Sequence, residues 1–297
     1  MSLTFTNTTL VVLTLLGAAA SVLAMVRLRT TMMWAMQPAV VEEASVTPAS
    51  NRPRKTLLNV LVTLVASGSA GLLLYRWVQV GEGWNPVSAH VDGLLLIASL
   101  LAVVGLFIQS RPRLGGLAVF ILPLLTLILA WAISASAWLY RPFHLDSLTP
   151  VWTAVHLVGV YLGTLGSAIA AMAGLMYLFV ERQLKAKLNP RRLFRLASLE
   201  TLERLITQSA ALGFALLTVG LVSGVVILRH EKDVLGPNWW ATPKVITAFA
   251  AWFVYALVMN VRFASTFRGR RAAWLAVSGF VMLVVVYGFV TGTGGAA

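Results

Sequence analysis

Residues 152–180 read WTAVHLVGVYLGTLGSAIAAMAGLMYLFV, an apolar stretch without a charged residue that is long enough to cross a bilayer. In hydrocarbon the backbone must satisfy its own hydrogen bonds, so a stretch of this length without strand alternation predicts an α-helix. Small residues recur in it at three- and four-residue spacing, which predicts a face that packs closely against other helices inside a bundle. These residues are Gly163, Gly166, Ser167, Ala170 and Gly174.

Comparable stretches recur along the chain, which is 59% hydrophobic and 11% charged, with a mean hydropathy of +0.84. This composition excludes an ordinary soluble domain and predicts an all-α, polytopic membrane helix bundle. No apolar-poor stretch is long enough for a separate soluble domain, so residues 1–297 are expected to form a single integral membrane domain. We predict about eight transmembrane helices, at 8–27, 56–76, 90–110, 116–139, 152–180, 204–228, 244–265 and 272–292.

The distribution of basic residues predicts the orientation. If successive connections alternate between the two sides, 18 of the 23 Lys and Arg residues fall on one side, which the positive-inside rule makes cytoplasmic. Both termini are then extracytoplasmic. The cytoplasmic set is Arg27, Arg29, Arg52, Arg54, Lys55, Arg111, Arg113, Arg182, Lys185, Lys187, Arg191, Arg192, Arg195, Arg204, Arg262, Arg268, Arg270 and Arg271.

This asymmetry accounts for the net charge of +13. A nucleic-acid partner is therefore not required, and attraction to anionic lipid headgroups is the simpler consequence. The chain contains no cysteine, which excludes a thiol relay, a disulfide framework and an iron–sulfur cluster held by the chain's own thiolates. The first apolar stretch lacks a basic region before it, so we interpret it as a helix rather than a signal peptide.

A tryptophan-bearing loop, GPNWWATPK at residues 236–244, lies between two apolar segments on the predicted outer side. Adjacent indoles at a membrane interface offer a flat aromatic surface on which a planar ligand would rest. Haem is the first ligand to consider.

The four histidines are the second chemical signal, because the predicted topology places His90, His144, His156 and His230 at the outer ends of helices or in outer loops. Imidazole is a common ligand of haem iron. A histidine at such a place is also commonly an interfacial hydrogen-bonding residue. His156 differs from the others because it lies about one turn inside a predicted span, where a polar ring suggests function.

Two segments resemble the CcsA-type cytochrome c assembly family. Residues 151–157, VWTAVHL, begin a small-residue-rich helix that ends in ERQLK and resembles a histidine-bearing helix of that family. The Pro-Lys at 243–244, with Trp252, Tyr255 and Arg262, resembles the helix after the family's tryptophan-rich motif. Upstream, Ser223-Gly224 is similar to a small-residue step of the family. The resemblance covers residues 80–292.

The chain departs from the family pattern both within the tryptophan-rich motif and at the family's histidines. Trp239 is retained, but the family's second tryptophan falls at Ala241 and its aspartate at Thr242. Of the four family histidines only the one at His156 is in place, since two of the others fall at Trp84 and Asn260. The weakened motif makes the chain more similar to the HemX-like branch.

The resemblance implies a haem-handling assembly factor rather than an independent enzyme. His156 would be one axial ligand of the haem iron and His230 a replacement for the second. Trp239 and Trp240 would stack on the porphyrin, and Arg229 or Lys244 would pair with a propionate. The partners implied are apocytochrome c and other cytochrome c assembly proteins, in a bacterial inner membrane.

Two alternatives remain open at this point. The chain would be a HemX-like accessory or regulatory subunit that does not bind haem, because three family histidines are missing. A small-molecule permease is less favoured, since the sequence shows no internal repeat and Asp92 is the only acidic residue near the interior of a span.

Overall fold

The computed structural model describes residues 2–36, 52–80, 90–111, 114, 116–138, 150–186, 196–230, 239–241, 245–246, 248–250, 252–253, 255–256 and 269–293. Most of these residues are helical, and none of them forms a strand. The α-helices are α1 Ser2–Met36, α2 Arg52–Val80, α3 His90–Ser110, α4 Ala118–Trp138, α5 Pro150–Lys185, α6 Leu199–His230 and α7 Arg270–Thr293. A 3-10 turn, Trp239–Ala241, comes after α6 in the chain.

Six of these helices are long and apolar enough to cross a membrane, which confirms the predicted all-helical membrane architecture. Their candidate spans are Phe5–Thr30, Leu57–Gln79, Val91–Ser110, Ala118–Ser136, Val151–Lys185 and Leu199–Arg229. The span predicted at 272–292 is helical as α7. Short helical stretches between 245 and 256 fall in the span predicted at 244–265, most of whose other residues lie outside the described part. The orientation of the termini stays a prediction.

The chain groups into two compact units, of which the first comprises residues 1–83, 94–134 and 179–198. Here α1 packs antiparallel to α2, with the Phe5 and Tyr75 rings 4.9 Å apart near one end and Leu13 against Gly68 further along. Helix α4 joins them through a 2.9 Å hydrogen bond between the Ser21 and Thr126 hydroxyls. The apolar side chains that fill α4's buried face include Ile121, Leu122, Leu125 and Leu129.

The second unit comprises residues 84–93, 135–178 and 199–297, and its centre is the small-residue face of α5. A Cβ added at Gly166 would lie 3.0 Å from the Gly213 Cα, and one at Gly174 would lie 2.8 Å from the Ala273 oxygen. Ser167 and Ala170 are fully buried. The predicted packing face is therefore confirmed, and it contacts α6 along one part and α7 along another.

A side-chain cap holds the beginning of α7. Gly269 adopts a φ of 68°, in the left-handed region that glycine tolerates, and its N–H donates to the Glu203 carboxylate at 3.2 Å. The Tyr177 hydroxyl lies 2.8 Å from the place that a Cβ on residue 269 would occupy. Glycine at this position therefore lets α7 start beside both α5 and α6.

We predict that Gly166→Leu destabilises the protein, because a larger side chain would meet backbone atoms of α6 that cannot rotate away. Overpacking of this kind costs about 1–3 kcal/mol. The thermal midpoint in detergent should therefore fall. Gly71→Leu is the matched control, since a Cβ at Gly71 meets nothing within 4 Å. Equal midpoints for the two variants would contradict the assignment of this face.

Candidate functional site

The contact between α5 and α6 brings the two backbones together near the beginning of α5. A Cβ at Gly159 would lie 2.6 Å from the Gly220 nitrogen and 2.8 Å from the Leu216 oxygen. Gly163 lies in the same way against Leu217. Residue numbers rise along α5 as they fall along α6, so the helices are antiparallel. The beginning of α5 is therefore level with the end of α6.

His156 lies on this contact, one turn before Gly159. Its Nδ1 is 2.7 Å from the Gly220 carbonyl oxygen. A carbonyl oxygen only accepts hydrogen bonds, so Nδ1 must carry the hydrogen and donate it. In the neutral ring this tautomer leaves the Nε2 lone pair as the metal-binding site.

The ring is oriented as well as bonded. A Cβ at Gly224 would lie 3.0 Å from the His156 Nδ1 and Cε1 but 4.0 Å from Nε2. The Nδ1 side of the imidazole therefore faces α6, and Nε2 is directed away from it. The side chain of His156 is half-buried. Glycine at 224 provides the room that the ring occupies, because any larger residue would crowd it.

In the sequence, Ser223-Gly224 stood out only through the family resemblance. The contacts of these two residues with His156 and the Gly220 carbonyl follow from the antiparallel register of α5 and α6. Ser223 is buried beside the same carbonyl, with its Oγ 2.9 Å from the Gly220 oxygen. A signal was present, since α5 contains four glycines and α6 contains three, and spacings of three, four or seven residues among them predict two faces that meet. Hydropathy alone does not indicate which glycine faces the histidine.

The other predicted site residues lie toward the end of α6 and beyond it. Arg229 is exposed one residue before the end of α6, about 8 Å along the axis from Gly224 at 1.5 Å per residue. Trp240 is 61% exposed in the 3-10 turn. The backbones of His230 and Trp239 are described but their side chains are not, and Lys244 lies outside the described residues. The described contacts place only His156 in a defined site.

Residues of the segment after the tryptophan loop pack on another part of α6. Trp252 Nε1 donates to the Thr218 hydroxyl at 3.0 Å. The Phe214 ring stacks on those of Trp252 and Tyr255, with centroids 5.9 and 6.1 Å away. Trp252 and Tyr255, two of the residues that carried the family resemblance in this segment, are therefore packed against the helix that bonds His156.

A second polar group in this unit is Asp92, which is only 1% exposed in the first turn of α3. The Tyr161 hydroxyl of α5 lies against the neighbouring Gly93, where a Cβ would overlap it. Sequence reasoning used Asp92 only to argue against a permease. Its burial beside a tyrosine would have required knowledge of the helix packing.

A metal held by three or more protein side chains finds no support in the described residues, where no group of three His, Cys, Asp or Glu residues converges. Haem differs in this respect, because its porphyrin supplies four iron ligands and the protein adds one or two axial ones. A single oriented histidine is therefore a sufficient starting point for a haem site.

Comparison with known proteins gives a consistent result. A family model described as Cytochrome C assembly protein matches residues 87–294, close to the predicted 80–292. Cytochrome c biogenesis protein CcsA of Prochlorococcus marinus (strain MIT 9312) is 29% identical over 254 residues, with 78% of each chain covered. CcsA of Synechococcus sp. (strain RCC307) is 26% identical, with 80% of this chain and 83% of the relative covered. CcsA of Porphyra purpurea is 24% identical, with 79% and 85% covered. The chain belongs to the cytochrome c assembly protein family, as an integral membrane member of the CcsA type.

Proposed function

We propose that this cytochrome c biogenesis protein binds haem near the outer face of the membrane, with His156 as an axial ligand, and presents it to apocytochrome c. The observation that carries the proposal is the 2.7 Å hydrogen bond from His156 Nδ1 to the Gly220 carbonyl. It selects the tautomer whose Nε2 has the lone pair that iron requires.

The hydrogen bonding of His156 suits a ligand of haem iron. Metal-binding histidines almost always donate their other ring N–H to a carboxylate, a carbonyl or water, which holds the ring in place and strengthens it as a ligand. His156 has this arrangement before any ligand is considered. A backbone carbonyl in a packed helix is also a rigid acceptor, so the ring is held in one orientation relative to α6.

Haem, when bound, supplies vinyl groups that react with the thiols of an apocytochrome, while the protein supplies binding and orientation. We assign Trp239 and Trp240 to stacking on the porphyrin face, and the exposure of Trp240 leaves its indole accessible for this. Arg229, exposed near the end of α6, or Lys244 would pair with a propionate. His230 would supply the second axial nitrogen.

The substitutions in the tryptophan motif favour weaker presentation of haem than in a full motif, because Ala241 and Thr242 replace the family's tryptophan and aspartate. The HemX-like assignment remains a prediction based on these departures. A haem-free accessory subunit is the competing function, and the haem content of the purified protein separates the two.

We predict that residue 190 lies in the cytoplasm and residue 238 outside, in a bacterial inner membrane. The prediction rests on the uneven distribution of basic residues, 18 against 5. Fusions at each position to alkaline phosphatase, which is active outside, and to a fluorescent protein that folds inside, would measure it. A cytoplasmic residue 238 would remove the outer haem site.

We predict that His156→Ala abolishes or shifts the Soret band of protein purified from haem-replete cells, because it removes the axial nitrogen. Added imidazole should restore part of the band by filling the vacated position. Trp240→Ala is the contrasting variant, and it should lower haem content with less change in band position, since stacking adds affinity without changing the ligand. Wild type without haem, or His156→Ala with unchanged haem content, would favour the accessory function.

We predict that Gly224→Val lowers haem content although the imidazole remains, because the added side chain would displace the ring from the Gly220 carbonyl. The control is Gly105→Val, where a Cβ makes ordinary contacts of 3.8 and 3.9 Å. Haem content per protein, measured with the thermal midpoint, separates ring displacement from unfolding. Wild-type haem content in a well-folded Gly224→Val protein would show that the ring position does not matter.

A further inference from the structure

The Gly220 carbonyl is shared by more donors than it has lone pairs. His156 Nδ1 lies 2.7 Å and Ser223 Oγ 2.9 Å from its oxygen. The helical pattern of α6 also directs the Gly224 N–H at the same atom, four residues earlier in the chain. A carbonyl oxygen has two lone pairs, so three donors compete for it.

Ser223 has a second acceptor within reach, because its Oγ is also 2.7 Å from the Val219 oxygen. The hydroxyl carries one hydrogen and donates it to one oxygen at a time. Directed at Val219, it leaves the Gly220 oxygen to His156. Directed at Gly220, it weakens the hydrogen bond of the histidine. At 1% exposure Ser223 has little water to bond instead.

We propose that Ser223 is a positioning residue that sets the strength of the His156 Nδ1 hydrogen bond, and through it the donor strength of Nε2 toward haem iron. The group that accepts a hydrogen bond from the other ring nitrogen of a metal-binding histidine affects the ligand in this way. The effect of Ser223 on the Nδ1 hydrogen bond concerns the histidine alone. The effect on the donor strength of Nε2 toward iron rests on the proposed haem-binding function.

Ser167 offers a matched comparison within the same helix contact. It is fully buried and donates to the Gly163 carbonyl at 2.9 Å, one turn earlier in α5. It lies 11 positions from His156 along α5, or about 16 Å. Ser167→Ala therefore removes a buried hydrogen bond from a serine to a backbone carbonyl in the same helix contact, at a distance from His156.

The first measurement needs no haem. In protein labelled with 15N-histidine, which contains four histidines, His156→Gln identifies the His156 signals by their loss. Wild type should show Nδ1 protonated and Nε2 unprotonated. Ser223→Ala should shift the Nδ1 resonance in the direction of a stronger hydrogen bond, Ser223→Thr should restore it, and Ser167→Ala should leave it unchanged.

The second measurement uses haem-loaded protein. Loss of such a hydrogen-bond partner costs about 10–100-fold in metal affinity, so a change in the strength of the hydrogen bond should give a smaller, few-fold effect. Ser223→Ala should slow haem loss a few-fold and lower the reduction potential, because a stronger donor favours ferric iron. Ser223→Thr and Ser167→Ala should both retain the wild-type potential.

The outcomes separate the two proposals. A His156 resonance that is the same in Ser223→Ala as in wild type overturns the role of Ser223, whatever haem does. A shifted resonance with an unchanged potential overturns its effect on iron. Wild type that carries no haem overturns the proposed function but leaves the resonance test of Ser223 standing.

Discussion

The approach of the α5 and α6 backbones is the constraint on which the second unit depends. In a bilayer the helices gain little from excluding water, since lipid tails are already apolar, so association relies on close packing and interhelical hydrogen bonds. Gly159 and Gly220 allow that approach, because a Cβ on either residue would lie within 3 Å of atoms of the opposite helix. The hydrogen bond of His156 to a backbone carbonyl exists only at this separation.

Helix α6 makes polar contacts with three neighbours along its length: the start of α7, the segment that contains Trp252, and α5. Glu203 caps the start of α7, Thr218 accepts from Trp252, and the Gly220 carbonyl accepts from His156. Each contact uses a polar group that would be costly to leave unpaired in a membrane. The tryptophan segment and the histidine are therefore coupled through one helix, and a shift of α6 would move both.

The fold was predictable where the signal lies within one helix, in its apolar length or in the spacing of its small residues. Apolar length predicted six spans that the structure confirms, and the spacing of Gly163 and Gly166 predicted the packed face of α5. The partner of that face was not predictable, because hydropathy does not encode antiparallel register. Register decides that residue 156 meets residues 220 and 224. For the same reason Ser223 and Asp92 were noted in the sequence, but their contacts were not foreseen.

A histidine inside a membrane helix needs a partner for at least one nitrogen, and a structural role would satisfy that need with any acceptor. The arrangement around His156 is more specific than this. Gly224 lies where alanine would favour the helix by up to about 1 kcal/mol. A Cβ at Gly224 would be crowded by the His156 ring, whose Nδ1 and Cε1 lie closer to it than Nε2 does. The cost at Gly224 is therefore matched by the position of the imidazole, for which Gly224 leaves room and which the Gly220 carbonyl holds through Nδ1.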